Sequence, residues 1–452
     1  MKKSFKVIAG VLVASTALAG CGGQATDKGG TQGAAQGGTP AASGPVTIKI
    51  HSWYTKDQMN LDTVVAAFNK KFPDIKVEYV GLSEKGDSNE AAQKLDLAAA
   101  SGEAMDVIML SNPPAYAQRV GVGMFAPLDD YLKKDNINYK DEYKADTALN
   151  GKYYALPGKV SQWFVLLNKD ALDEAKLPVP TEWTWQDYQD YAKKLTKGEG
   201  AAKRYGAYFH NWKEFATLAL ANDPKNNYIV TADGSPNLDN DRERYSLQMR
   251  NQMENVDKTA VPYFDVISQK MNYRDVYFGG KAAMLPIGDW MIPETGGSAT
   301  VTPKFKTVFA PYPKYQAGDE NGLTNAGMDY IGIAQSSKNK DAAWKFIRWY
   351  STEGIVEQGR ALSGWTKADL NKNVEAILAT AKAPDMVDKT SLLSTLKVGK
   401  PASIIVPPEF AAQAEKDFLA QVELFLTGKQ DLEKTIKASV DKINSLKASA
   451  KK

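Results

Sequence analysis

Between Val46 and Val80 the apolar residues change period twice. Val46, Ile48 and Ile50 alternate with Thr47, Lys49 and His51, as in a strand with one buried face. Leu61, Val64, Val65, Phe68 and Phe72 then recur at helical spacing until Pro73, and Ile75, Val77 and Tyr79 resume the alternation. This is a β-α-β unit, which commits the chain to a sheet with crossover helices. The pattern continues: Ala91 to Ala100 reads as a helix closed by Gly102, and Asp106 to Leu110 as a buried strand ending at Ser111, Asn112, Pro113 and Pro114. Helices alternating with short strands predict an α/β fold with largely parallel sheets. A chain of 452 residues suggests roughly two to three domains, and 43% hydrophobic content is enough for substantial cores.

Nothing but packing is available to hold those cores. The single cysteine, Cys21, excludes an internal disulfide framework and a cysteine-cluster metal site, and His51 and His210 are the only histidines. Asp129-Asp130 and Asp239-Asn240-Asp241 lack the register of a calcium loop, so neither a metal nor a cofactor is expected. Lys+Arg number 56 against Asp+Glu 53, and the excess of three is Lys2, Lys3 and Lys6. With those removed the chain is formally neutral, which argues against a nucleic-acid partner held by a basic field.

Those three lysines open a secretory leader. Residues 1–20 have a basic start and an apolar run from Val7 to Leu18, too short to span a bilayer as a helix. Leu18-Ala19-Gly20-Cys21 resembles the bacterial lipobox, in which the cysteine is lipidated and becomes the new N-terminus. Gly, Ala, Gln, Thr and Ser dominate the stretch to residue 45, a composition that cannot bury a core and reads as a flexible tether. No later run is apolar enough to cross a membrane, so the expected location is the outer face of the cell membrane, held by lipid.

Further along, Gly151 to Pro157 and Phe164 to Leu167 read as two strands, and Thr184 as the cap of a helix with Asp187 at its third position. Tyr330 to Ala334 reads as a strand, and Ala343, Phe346, Ile347 and Tyr350 as one helical stripe. Two amphipathic helices flank Gly428, carrying Phe410, Ala414, Phe418 and Val422, then Leu432, Ile436, Val440 and Ile443. Trp183, Trp185, Trp344 and Trp349 fall at packing positions, and His51 points away from the apolar face of its strand toward solvent or a local partner.

In this order, the motifs resemble the family 1 extracellular solute-binding proteins, the carbohydrate-capturing lipoproteins of bacterial ABC importers. The residues that carry the resemblance are the opening β-α-β unit, Leu97 to Gly102 with Asp106-Val107, Gly151 to Pro157, and Asn168-Lys169-Asp170 with Pro180 and Thr184-Trp185. Phe278 to Met284, Gly288-Asp289-Trp290 and Ala342 to Ile347 complete the set. Met105 and Leu167 depart from it. The resemblance implies a type II periplasmic-binding-protein-like fold of two α/β lobes, 46–155 with 311–362 and 156–310 with 363–452, joined by crossing hinge segments and closing over a sugar. It also implies a monomer that delivers a mono- or oligosaccharide to ABC permease subunits, without catalysis.

A sugar offers hydroxyls at its rim and flat C–H faces, so its site needs hydrogen-bonding groups around aromatic plates. Trp53 and Tyr54 follow the first strand, where open α/β sheets bind ligands, and are either contacts or surface packing. Ser111 and Asn112 end another strand and serve the ligand or the turn before Pro113. Ser161, Gln162 and Trp163 lie just past the expected hinge crossing. By the resemblance, Trp290 presents its indole to the sugar, with Asp289 accepting hydroxyl protons or ordering its turn, and Trp212 is a second aromatic plate. Gly327 and Asp329 form a returning loop in which Gly327 permits close backbone approach; Trp365 and, more remotely, Phe410 complete the candidates. A glycoside hydrolase would instead need two carboxylates at a fixed separation, which sequence alone leaves open. A glycan-binding sensor component would differ only in its partner.

Overall fold

The computed structural model describes residues 44–298, 301–324, 326–402, 404 and 407–450. The expected leader, Cys21 and the tether up to residue 43 lie outside the described residues. The strands are β1 (Val46–Ser52), β2 (Ile75–Gly81), β3 (Val107–Leu110), β4 (Leu156–Asn168), β5 (Tyr205–Ala207), β6 (Ala282–Gly288), β7 (Thr307–Pro311), β8 (Leu323–Thr324), β9 (Ala326–Ile333) and β10 (Lys400–Pro401). They run in the order β2-β1-β3-β9-β4-β6-β5, with β7 also paired to β4 and the short β8 and β10 forming a separate ladder.

The opening β-α-β unit forms as its periodicity predicts. β1 and β2 are parallel, and the helix Leu61–Lys71 between them buries Val64 and Phe68 completely. Phe68 meets Phe346 and Trp349 of the helix Lys340–Trp349 at 5.1 and 5.3 Å between ring centres. β3 pairs with the other edge of β1, so that strand is interior to the sheet. At the C-terminal end of β1, His51 is fully buried rather than solvated, and its Nε2 lies 3.1 Å from Glu103 Oε1, far along the chain.

One strand replaces the two expected around residue 160. Gly151 sits in a turn at φ +75°, and from Leu156 the chain runs extended for 13 buried residues. The polar stretch Gly158 to Gln162 stays in strand because β9 pairs along it, from Leu156 opposite Ile331 to Gln162 opposite Ala326. Beyond Gln162 the partners change: β6 takes Trp163 to Leu167 and β7 takes Phe164 to Asn168. Parallel pairing holds at β2-β1-β3 and β5-β6, whereas every pair that includes β4 or β9 is antiparallel.

Each half of β4 carries its own core. Leu156 packs with Ile48, Ile50, Ile331 and Phe346, whereas Phe164 and Leu166 pack with Ile287, Phe309 and the buried Trp185. The result is a two-lobe α/β fold in which helices flank the sheet. The C-terminal helices Ala411–Leu426 and Leu432–Ala450 turn at Gly428, with φ +73°, and bury Phe418, Val422, Ile436 and Ile443 against Leu220, Ile229 and Leu247. Thr184 and Asp187 form the expected capping box, and Trp183, Trp185, Trp344 and Trp349 are all buried.

Candidate functional site

Where β4 exchanges one set of partners for the other, side chains from four separate parts of the chain meet. Tyr54 follows β1, Lys159 to Trp163 lie on β4, Asp289 and Trp290 follow β6, and Gly327 and Asp329 lie on β9. The Tyr54 hydroxyl donates to Asp329 Oδ2 at 2.7 Å, and Lys159 Nζ donates to the Tyr54 hydroxyl at 3.1 Å while standing 3.5 Å from Asp329 Oδ1. The same ammonium lies 5.4 Å from the centre of the Tyr54 ring and 5.6 Å from that of Trp290, within range of cation–π attraction to both. Asp289 Oδ2 accepts the Gln162 backbone N–H at 3.3 Å.

Trp290 is half-buried and begins an aromatic wall. Trp163 meets it edge-on at 5.6 Å and Trp212 stands at 6.3 Å, itself packed on Tyr273 at 5.1 Å and His210 at 4.9 Å. Burial, together with Arg250 and Arg274, pushes His210 down to about 4, so its imidazole is neutral, and its Nδ1 is hydrogen-bonded with the Tyr208 hydroxyl at 2.7 Å. The glycine this wall requires is Gly288, where a Cβ would fall 1.9 Å from the Trp290 indole. At Gly327 a Cβ would meet the Ser161 side chain at an ordinary 3.6 Å.

Electrostatically the site is short of donors. Asp289 and Asp329 are each 1% exposed, and burial raises both carboxyls against the opposing pull of Lys159, Asp289 to about 7. Asp289 Oδ1 and Ser161 Oγ are buried with no well-aligned hydrogen-bond partner beyond each other, and Asp329 Oδ1 has none beyond the Lys159 ammonium at 3.5 Å. Buried polar atoms are rarely left so, and a cluster of them beside aromatic rings fits a ligand that brings hydroxyl groups.

Of the residues chosen from sequence, Tyr54, Ser161, Trp163, Trp212, Asp289, Trp290, Gly327 and Asp329 come together here. Trp53, Ser111 and Asn112 line a small cavity of their own with Leu82, Ala91 and Leu95. Asn112 also caps the helix Pro113–Gly121, its Oδ1 accepting the Ala115 N–H at 2.8 Å, so it makes the turn before Pro113. The Trp365 indole donates to Glu142 at 2.7 Å, a carboxylate also held by Arg348. Phe410 packs with the C-terminal helices. Lys159 was missed, although it is the one charged residue in the 13 of β4, and a lone charge in so apolar a run is a usable signal. Among the described residues no group of three or more His, Cys, Asp or Glu is placed to hold a metal.

Residues 53–357 match the family model of the bacterial extracellular solute-binding proteins. A maltotriose-binding protein of Pyrococcus abyssi is 22% identical over 327 residues, which is 71% of this chain and 65% of that relative, a little under two thirds of its length. Among solved structures, an ABC substrate-binding protein of Listeria monocytogenes in complex with cycloalternan is similar at a TM-score of 0.71 and 23% identity, covering 89% of this chain and 98% of that one. A Mycobacterium tuberculosis protein in complex with glycerophosphocholine reaches 0.70 at 18% identity, covering 91% and 100%. With the family model spanning most of the described chain and a two-lobe α/β fold beneath it, this protein belongs to the bacterial extracellular solute-binding proteins, and is a binding protein rather than an enzyme.

Proposed function

We propose that the protein captures a mono- or oligosaccharide between its lobes, in the site around Lys159, and hands it to the permease of an ABC importer. The observation that carries this is the set of poorly satisfied oxygens on Asp289, Asp329 and Ser161 beside the rings of Tyr54 and Trp290. A pyranose supplies the matching hydroxyl donors and a flat face for stacking. Trp163 and Trp212 extend the wall toward a second ring. The sugar-binding relatives support this ligand class. The lobes of the proposal are 46–155 with 311–362 and 156–310 with 363–452, closing on the bound sugar as a monomer, with lipid on Cys21 as the anchor.

The test is a thermal-shift and tryptophan-fluorescence screen of the purified protein against neutral mono- and oligosaccharides, since a ligand specific to the folded state raises its apparent stability. A saturable rise with one sugar class is expected. Silence across the panel, or cleavage of an oligosaccharide, would overturn the reading. For the anchor, Cys21→Ser should release the protein from membranes, and retention would count against it.

A further inference from the structure

We infer that the site selects uncharged, hydroxyl-bearing ligands and rejects those that carry a carboxylate or phosphate, with Lys159 as the residue that pre-empts the anion's place. This deepens the carbohydrate reading and rests on it.

Among the described residues, the cation lodged in the site is Lys159, and it is already engaged. Lys159 gives a hydrogen bond to Tyr54, faces Asp329 at 3.5 Å and lies against two aromatic rings, with its side chain 10% exposed. An incoming anion would have to compete with Asp329 and the Tyr54 hydroxyl for it. The next cations outward are also committed. Lys144, within electrostatic reach of Asp289, donates to the Ser363 carbonyl at 3.0 Å, and Arg274 pairs with Glu294 at 2.6 Å. The acceptors beside Lys159 are oxygens, on the buried carboxylates of Asp289 and Asp329 and on Ser161. A hydroxyl can donate to such an oxygen, but a carboxylate or phosphate cannot, and it adds like charge where little water screens it. The fold itself sets no such limit, because the neighbour solved with glycerophosphocholine accommodates a phosphodiester. Any discrimination must come from the residues of the site.

The test is calorimetric titration at pH 7.5 and low salt with matched probes: maltotriose against its counterpart with a terminal glucuronate, xylotriose against the trimer bearing a uronic acid, and glycerophosphocholine. The neutral member of a pair should bind, and its acidic counterpart at least roughly tenfold more weakly. Asp289→Asn should narrow that ratio, a change that a merely structural role would not produce. Thermal melts of the variant confirm that it is folded, and Asp329→Asn gives the same readout if it is not. Acidic probes binding as tightly as neutral ones, or a ratio unmoved in a folded variant, would overturn the inference while leaving carbohydrate capture standing. If no member of any pair binds, the carbohydrate reading falls and this inference falls with it.

Discussion

The Tyr54 hydroxyl reaches Asp329 Oδ2 at 2.7 Å across 275 positions of sequence. This bond fastens the loop after β1 to β9 and supplies one of the few donors available to a buried carboxylate. Tyr54→Phe keeps the ring and removes the donor, so it should lower unfolding free energy by about 1–3 kcal/mol. Urea denaturation checks this; an unchanged midpoint would mean that Lys159 satisfies Asp329 without help.

Asp289 gives the protein a pH signature. Burial raises its carboxyl from the ordinary 3.8 to about 7, so between those values the folded state holds a proton that the unfolded chain has released. The stability this group contributes is whole below pH 3.8 and drains away as pH rises through about 7. Asp289→Asn cannot ionise, and should flatten the decline in melting temperature across that window. Parallel slopes for the two proteins would show that Asp289 titrates normally.

Trp290 stands half-exposed over Gly288 and touches the fold chiefly through other rings. Its replacement by alanine should weaken sugar binding by about 1–3 kcal/mol while the protein remains folded. Titration with a sugar identified by the screen decides the matter, and an unaltered affinity would take Trp290 out of the site.

Asn112 separates capping from binding. Asn112→Ala should cost about 1 kcal/mol of stability through the lost cap of Pro113–Gly121. Asn112→Asp should restore most of it. Neither should alter ligand affinity, and a variant that melts normally but fails to bind would return Asn112 to the ligand.

How much of this was legible beforehand depended on range. The β1-helix-β2 unit was plain because Ile48, Ile50, Val64 and Phe68 repeat at the period of their own element. The C-terminal helices around Gly428 were plain for the same reason. The continuity of β4 was hidden: Gly158 to Gln162 have no apolar alternation, and they are extended only because β9, more than 160 positions later, supplies their partners. His51 was misjudged because one strand's alternation does not show what packs over its other face. Trp290 and Asp289 stood out through a local motif. The association of Lys159 with Tyr54 and Asp329 joins three distant segments, and no local pattern announces it.

β4 has a consequence for how the molecule comes apart. Its first half is laced to one core and its second half to the other, so melting either core strips partners from a strand that the remaining core needs. Heat should therefore take both lobes down in one cooperative step, giving a single calorimetric peak in a chain long enough to have shown two.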